Sequence, residues 1–171
     1  MKAAPEILFS EAEIAARVED LARDIAPLKP EIAVTILIGG FVFAADLIRA
    51  LARRGSHLEA EFLWLRSYGN ARTGTGISLL AGPSENVRGK TILLIDGVLD
   101  VGRTILKAQE LLSAAGAASI VTAVAVDKAR PDAVAQADFA GFTGVADFIV
   151  GYGMDDAGKH RGLPYIALAP G

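Results

Sequence analysis

The chain has 171 residues, 52% of them apolar and 22% charged, which is the size and composition of one globular domain with a substantial core. Its formal net charge is -3 and its basic residues are scattered, so no basic surface for nucleic acid or an anionic membrane is expected. Cysteine is absent and the two histidines, His57 and His160, are far apart in sequence. These facts exclude a disulfide scaffold, thiol catalysis and a Cys/His zinc site, so carboxylates must hold any metal.

The beginning of the chain and its hydropathy predict a cytoplasmic protein. The start, MKAAPEILFSEAEI, lacks the basic segment and following apolar stretch of a secretory signal. No window approaches the roughly 18 consecutive apolar residues that a membrane-spanning helix needs. No linker or internal repeat is visible, so we expect a soluble protein with a single domain over residues 1–171.

Helices and strands are predicted to alternate along the chain. Ser10 and Glu13 form a capping-box pattern, and the helix that follows ends before Pro27. The apolar pattern then predicts strand 32–38, helix 41–54, strand 58–65, polar loop 67–76, strand 91–95, turn 96–101, helix 102–115, strand 119–126, and short apolar runs at 148–150 and 164–168. This order is typical of an α/β fold with a twisted, mostly parallel sheet flanked by helices. Such sheets bind ligands beyond the carboxyl ends of their strands.

The segment from Thr91 to Thr104 has the most chemical content. An apolar strand is followed, within one strand-to-helix turn, by Asp96, Asp100, a glycine and a threonine hydroxyl. Free N–H groups and the positive end of a helix dipole favour an anion there, held by the amides of residues 101–104. Phosphate beside carboxylates indicates a sugar phosphate. The simpler interpretation is that Asp96 ends a strand and Asp100 caps the helix.

Two common nucleotide-binding patterns are missing from the sequence. Neither GxGxxG nor GxxxxGK[ST] occurs in it. Their absence disfavours a nicotinamide-dependent enzyme and an ordinary P-loop NTPase.

Four segments, in order, carry a resemblance to a known family. They are LIGGFVFAADLIRAL (37–51), RSYGNARTGTG (66–76), KTILLIDGVLDVGRT (90–104), and AVAVDKARP with DFAGF and DFIVGYGMDDAGKHRGLPYI (123–166). Together they resemble the purine phosphoribosyltransferases, specifically the hypoxanthine-guanine phosphoribosyltransferases. The resemblance implies the type I phosphoribosyltransferase fold, with a small hood built from the termini. It also implies purine salvage: hypoxanthine or guanine and 5-phosphoribosyl 1-pyrophosphate give IMP or GMP and pyrophosphate, with Mg2+ as cofactor and a homodimer or homotetramer as the assembly.

The resemblance also implies roles for single residues. Asp100 would lie against N7 of the purine and share the proton released there, while Asp96 would lie near the ribose hydroxyls and the metal. Lys128 would donate to the 6-oxo group and so select oxopurines over adenine. The other implied contacts are Val101, Gly102, Arg103 and Thr104 with the 5'-phosphate; Ile38, Gly39 and Arg161 with pyrophosphate; Phe148 and Ile149 with the base; Asp155 as a second metal ligand; and Ser67 and Tyr68 in a closing lid.

Taken without the resemblance, the same residue types have simpler interpretations. A lysine at the rim of a sheet is usually solvated, and an FIV run is usually a buried strand. The stretch DDAGKHR could equally be a solvated loop.

Three positions depart from the family pattern. Gly97 replaces the second acid of a pair, Val101 replaces a threonine, and Ile38 replaces the lysine of a Leu-Lys-Gly loop. Main-chain contacts at Val101 and Ile38 can survive, and the resemblance implies a cis peptide between Leu37 and Ile38. Each lost hydrogen bond costs about 0.5 to 1.5 kcal/mol, which weakens a site without abolishing it.

The departures leave two classes of function open. The remaining base, phosphate and 6-oxo positions predict an enzyme. The alternative is a catalytically weakened, nucleotide-binding regulator or sensor of the same fold. An RNA-binding regulator ranks last, because the basic residues do not cluster.

Overall fold

The computed structural model describes residues 6–68 and 76–169, with Tyr68 described by its backbone alone. The strands are β1 (Ile7–Phe9), β2 (Ile32–Leu37), β3 (Glu59–Tyr68), β4 (Gly76–Ala81), β5 (Thr91–Leu99), β6 (Ser119–Asp127), β7 (Phe139–Thr143), β8 (Ile149–Val150) and β9 (Ile166–Leu168). The helices are α1 (Glu11–Ile25), α2 (Phe41–Arg53) and α3 (Arg103–Ala114), and short 3-10 turns lie at Ala26–Leu28 and Glu85–Val87. Among these residues no helix is long and apolar enough to cross a membrane.

Among the described residues, six strands form the central sheet in the order β4-β3-β2-β5-β6-β7. The pairs within it are parallel, except that β4 runs antiparallel to β3 at one edge. A second sheet, β1-β9-β8, is antiparallel and joins segments from near both ends of the chain. The predicted α/β architecture and the predicted hood are both confirmed.

The central strand β5 is apolar because both of its faces are covered. Leu93 and Ile95 pack in the cluster that includes α1 and α2, whereas Ile92 and Leu94 pack in the cluster that includes α3. All four side chains are fully buried. Burying each of them stabilises the fold by about 1.5 to 3 kcal/mol, and a shift of one residue would exchange the two faces. The alternation therefore fixes the register of β5 and the position of the acids at its carboxyl end.

Some predicted boundaries are wrong at the edges of the sheet and at its carboxyl ends. Strand β3 continues through Ser67 and Tyr68, which pair with Ile77 and Gly76, although the sequence predicts a loop there. Strand β5 continues through Leu99 instead of turning at residue 96. Strands β1, β4 and β7 are missing from the sequence prediction because they are short and partly exposed, so their apolar pattern is weak.

Candidate active site

Two cavities meet at the carboxyl ends of β2, β5 and β6. A cavity of about 550 Å³ extends over the turn between β5 and α3, and one of about 290 Å³ extends toward the hood. Gly39, Val98, Asp100 and Met154 line both cavities. The two cavities are therefore halves of one cleft, which we call the active-site cleft.

The larger cavity contains the predicted anion site, because Val101, Gly102, Arg103 and Thr104 all line it. Gly102 precedes α3 with a φ of 85°, a conformation that favours glycine. A Cβ built on Gly102 would lie only 3.0 Å from the Cβ of Ala135. The glycine thus lets the chain turn from β5 into α3, whose first amides have no partner within the helix. This arrangement suits a phosphate group.

Asp100 does not cap α3, because the capping position is Gly102 and makes no side-chain hydrogen bond. Instead the carboxylate lies between two cations, 3.2 Å from Nη1 of Arg130 and 3.5 Å from Nζ of Lys128. The Lys128 side chain is only 9% exposed, so it is not a solvated lysine. Arg130 also binds both carboxylate oxygens of Asp132. Asp100 is therefore held where the two cavities join.

Asp96 is the buried acid of the cleft and is 9% exposed. Its Oδ1 accepts a hydrogen bond of 2.7 Å from the backbone N–H of Gly97. Burial raises the pKa of the Asp96 carboxyl to about 7, because the charged form loses hydration, and the hydrogen bond from Gly97 only partly opposes this. A cation that approached the carboxyl would favour its charged form.

Three glycines pack backbone to backbone beside Asp96. A Cβ at Gly97 would lie 2.6 Å from the carbonyl oxygen of Gly39, and a Cβ at Gly153 would lie 2.7 Å from the same oxygen. Side chains do not approach backbone so closely. Gly97, where the family has an acid, therefore lets the loop after β2 lie directly against β5.

The loop after β2 also contains the predicted cis peptide, between Leu37 and Ile38. Leu37 and Gly39 line the larger cavity, while Ile38 between them is 44% exposed and does not line it. Of the predicted pyrophosphate contacts, Gly39 is thus placed in the cleft, and Ile38 is adjacent to it.

The smaller cavity brings together the predicted base-binding residues, Lys128, Phe148 and Ile149. Phe148 lies just before β8 and is 59% exposed, whereas Ile149 is buried. The ring is therefore not part of a buried strand. An exposed aromatic face beside a nearly buried ammonium group suits a flat ring with a polar edge.

Asp155 and Arg161 also line the smaller cavity and form an ion pair of 2.6 Å. The other oxygen of Asp155 accepts from the N–H of Gly158, and Arg161 donates to the carbonyl of Gly153 at 2.7 Å. These hydrogen bonds order the stretch that the sequence alone would allow to be a solvated loop.

The carboxylates of the cleft fit a metal that arrives with a phosphate ligand. No group of three or more His, Cys, Asp or Glu that could hold a metal is found in residues 6–68 and 76–169. Asp96 lines one half of the cleft and Asp155 the other. Mg2+ usually takes one or two carboxylates from a protein and keeps waters and substrate phosphates as its other ligands. The donor set therefore fits Mg2+ bound together with a pyrophosphate.

The predicted lid is described only in part. Ser67 lines the larger cavity from the end of β3. Residues 69–75 of that segment and the side chain of Tyr68 lie outside the described residues. A lid role for Ser67 and Tyr68 stays a prediction.

Sequence reasoning missed several residues here, among them Val98 and Met154, which line the cleft, and Arg130, which lines neither cavity but binds Asp100. The signal for Val98 was present: in an extended strand, residues 96, 98 and 100 point to the same side. Treating residue 96 as the start of a turn hid that alternation. Met154 reaches the cleft, and Arg130 reaches Asp100, through tertiary packing alone, and no local pattern marks either residue.

Comparison with known proteins shows the family. The sequence profile of the phosphoribosyl transferase domain matches residues 4–157. The chain therefore belongs to the phosphoribosyltransferase family.

Within that family, similar relatives are enzymes of purine salvage, as the sequence resemblance predicts. The hypoxanthine phosphoribosyltransferase of Escherichia coli (strain K12) is 35% identical over 173 residues, covering 97% of this chain and 96% of its own. The hypoxanthine-guanine phosphoribosyltransferase of Dictyostelium discoideum is 34% identical, covering 94% and 93%. A solved structure of the Trypanosoma cruzi hypoxanthine phosphoribosyltransferase in complex with the product IMP has a TM-score of 0.87 at 28% identity, covering 95% and 92%.

Proposed function

We propose that this protein is a hypoxanthine phosphoribosyltransferase of purine salvage. It joins hypoxanthine or guanine to the ribosyl group of 5-phosphoribosyl 1-pyrophosphate and releases pyrophosphate. The observation that carries the proposal is one continuous cleft, with the start of α3 at one end, Lys128 and Phe148 at the other, and Asp100 between them. The names of the relatives support the same activity.

The larger half of the cleft would bind the sugar phosphate. The 5'-phosphate would accept hydrogen bonds from the amides of residues 101–104 and from the Thr104 hydroxyl. This geometry tolerates Val101 in place of threonine, because an amide contact does not depend on its own side chain. Asp96 would face the ribose hydroxyls and the metal.

The smaller half of the cleft would bind the purine. Phe148 would stack on the ring, and backbone groups of Ile149 would meet its edge. Lys128 would donate to the 6-oxo group. Its distance of 3.5 Å from Asp100 is long for a hydrogen bond, so the ammonium group can turn toward a carbonyl without losing a strong contact.

In the reaction, the bond between C1 of the ribose and the pyrophosphate oxygen breaks, and a bond forms between C1 and N9 of the purine. The electron pair of the breaking bond leaves with pyrophosphate, whose charge Arg161 and the amide of Gly39 would stabilise. Asp100, placed against N7, would accept the proton that the purine loses. Asp96 and Asp155 would each offer a carboxylate to Mg2+, and a bound Mg2+ would supply positive charge that stabilises the leaving pyrophosphate.

No specific observation favours the regulator alternative. The predicted contact residues that the structure describes line the cleft, with Ile38 as the exception beside it. A homodimer or homotetramer and a cytoplasmic location stay predictions.

A turnover assay tests the function directly. We expect hypoxanthine or guanine, with phosphoribosyl pyrophosphate and Mg2+, to give IMP or GMP and pyrophosphate. Tight binding of IMP without turnover of hypoxanthine, guanine or xanthine would instead identify a regulator.

Asp100→Asn tests the role of the proposed proton acceptor. The substitution should lower kcat by about 100-fold, because an amide cannot accept the proton, while the KM for phosphoribosyl pyrophosphate stays nearly unchanged. Asp132→Asn is the matched control, since Asp132 shares Arg130 with Asp100 but does not line the cleft. Equal losses in the two variants would contradict the assignment.

A further inference from the structure

A tight turn beside the cleft has three successive residues in the left-handed region. The φ angles are 92° at Gly151, 50° at Tyr152 and 96° at Gly153. Glycine adopts this conformation freely, whereas tyrosine does so rarely. Backbone hydrogen bonds run from Tyr152 to Leu163, at 2.8 Å, and from Gly153 to Arg161, at 2.9 Å. An unfavourable conformation at Tyr152 persists only where its surroundings hold it.

The side chain of Tyr152 supplies part of that support. It is 3% exposed, and its ring lies against Phe43 of α2 with the centroids 6.4 Å apart. Its hydroxyl donates a hydrogen bond of 2.7 Å to Oδ2 of Asp46, also on α2. Burial raises the pKa of the tyrosine, so the hydroxyl remains a donor at neutral pH. The other oxygen of Asp46 forms an ion pair with the exposed side chain of Arg49.

This hydrogen bond links two parts of the cleft that are distant in sequence. Helix α2 begins at Phe41, directly after the loop that contains Gly39. The turn touches the same loop, because Gly153 packs on the Gly39 carbonyl. The residues after Gly153 are Met154, which lines both cavities, and Asp155, which pairs with Arg161.

We propose that Tyr152 and Asp46 are positioning residues that hold the 151–155 turn against Gly39 and so set the pyrophosphate side of the cleft. The inference rests on the proposed function. Neither side chain touches the substrate in this account. They act through Gly39, Asp155 and Arg161, so their loss should weaken the binding of phosphoribosyl pyrophosphate more than the binding of the purine base.

Three variants of the full chain test the pair. Tyr152→Phe keeps the ring and removes the donor, and Asp46→Ala removes the acceptor. Each should raise the KM for phosphoribosyl pyrophosphate by about five- to tenfold, with the KM for hypoxanthine changed by less than about twofold. Asp46→Asn keeps an acceptor oxygen for the tyrosine, so its KM for phosphoribosyl pyrophosphate should be close to that of wild type. Because the two residues act as one unit, the double variant Tyr152→Phe/Asp46→Ala should lose no more than either single variant.

Arg49→Ala is the matched control, because it removes the ion pair of Asp46 and leaves the hydrogen bond to Tyr152 in place. Its KM for phosphoribosyl pyrophosphate should stay within about twofold of wild type. The proposal fails if Tyr152→Phe and Asp46→Ala have wild-type KM values, or if the KM values for both substrates rise equally. It also fails if the two effects on the KM for phosphoribosyl pyrophosphate add in the double variant. It also fails if Asp46→Asn is as impaired as Asp46→Ala.

A binding measurement separates this proposal from the proposed function. The Kd of phosphoribosyl pyrophosphate with Mg2+ is measured by calorimetry on the same variants, with thermal unfolding to confirm that each is folded. If wild type binds phosphoribosyl pyrophosphate without turnover and Tyr152→Phe binds it about five- to tenfold more weakly, the positioning pair stands and the enzyme function fails. If wild type turns over and the variants bind as wild type does, the pair fails alone.

Discussion

Gly97 lies where the sequence resemblance predicts the second acid of a pair, and its neighbours leave little room for a side chain there. The carbonyl oxygen of Gly39 occupies the space that a Cβ on residue 97 would need. Gly153, in the 151–155 turn, packs against the same oxygen. The loss of the acid is therefore tied to the close approach of two loops, and the sequence alone shows only the loss.

By sequence analogy alone, Gly97→Asp would restore the acid pair and tighten phosphoribosyl pyrophosphate binding by up to about tenfold. The structure instead predicts that the substitution destabilises the protein. The added Cβ must displace the loop at Gly39, at a cost of about 1 to 3 kcal/mol in stability. Urea unfolding and calorimetric titration with phosphoribosyl pyrophosphate would measure both effects.

Gly97→Ala separates the added Cβ from the added charge. It should destabilise the protein about as much as Gly97→Asp does. Tighter binding of phosphoribosyl pyrophosphate by Gly97→Asp, with wild-type stability, would show that the Gly39 loop can move without a cost in stability. The predicted destabilisation would then be wrong.

Lys128→Ala should damage base selection more than phosphoribosyl pyrophosphate binding. Loss of the ammonium donor removes a charged hydrogen bond to the 6-oxo group, so kcat/KM for hypoxanthine should fall by about 10- to 100-fold. Steady-state kinetics with hypoxanthine and adenine at saturating phosphoribosyl pyrophosphate would measure the change in base selection, and the KM for phosphoribosyl pyrophosphate at saturating hypoxanthine would measure the other effect.

Arg130→Ala is the control for Lys128→Ala, because it removes the other cation beside Asp100 and leaves the base donor. It should reduce kcat/KM for hypoxanthine by much less. Comparable use of adenine and hypoxanthine by the wild type would refute the selective role of Lys128.

At the scale of elements, the start of α3 depends on the backbone at Gly102. Gly102→Ala places a Cβ 3.0 Å from that of Ala135, at a φ of 85°. We expect a loss of about 1 to 2 kcal/mol in stability and weaker binding of IMP, because the amides after residue 102 shift away from the 5'-phosphate. Calorimetry with IMP and urea unfolding measure the two quantities.

Gly116→Ala is the matched control at the other end of the same helix. Its φ is 94°, and its added Cβ would lie 3.2 Å from the Arg88 side chain. It should lose stability to a similar degree and bind IMP as wild type does, because α3 is roughly 18 Å long. Equal losses of IMP affinity would contradict a local role for Gly102.

At the scale of the whole molecule, the buried Asp96 makes stability depend on pH. Its pKa is raised to about 7 in the folded state, so between the unfolded value of 3.8 and about 7 the folded protein binds more protons than the unfolded chain. The free energy of unfolding therefore falls as pH rises through this range, by up to about 1.4 kcal/mol per pH unit. Exposed carboxylates with lowered pKa, such as Glu13 and Glu31, make the free energy of unfolding rise with pH, but only at the acidic end of the range.

Urea unfolding between about pH 5 and pH 8, without substrate, would measure this slope. Asp96→Asn should flatten it, because the amide does not titrate, and should raise stability at the alkaline end. A slope that Asp96→Asn leaves unchanged would show that other groups cause it.

The sequence by itself determined the alternation of helices and strands and the mostly parallel sheet, and it indicated an anion site after β5. These follow from local pattern: apolar runs such as 91–95 need both faces buried, and a helix that starts after a strand and a glycine offers amides that favour an anion. The resemblance added the family, the hood and the cis peptide at Leu37, which no period or spacing would predict.

Only the tertiary structure decided which groups meet. The edge strands β4 and β7 depend on pairing with neighbours more than on their own weak apolar pattern. Arg130 reaches Asp100 from 30 residues away, and Tyr152 reaches Asp46 from 106 residues away. The approach of Gly39 to Gly97, and the burial that raises the pKa of Asp96, likewise depend on segments distant in sequence. Contacts and hydration are properties of the packed chain, and a local pattern does not contain them.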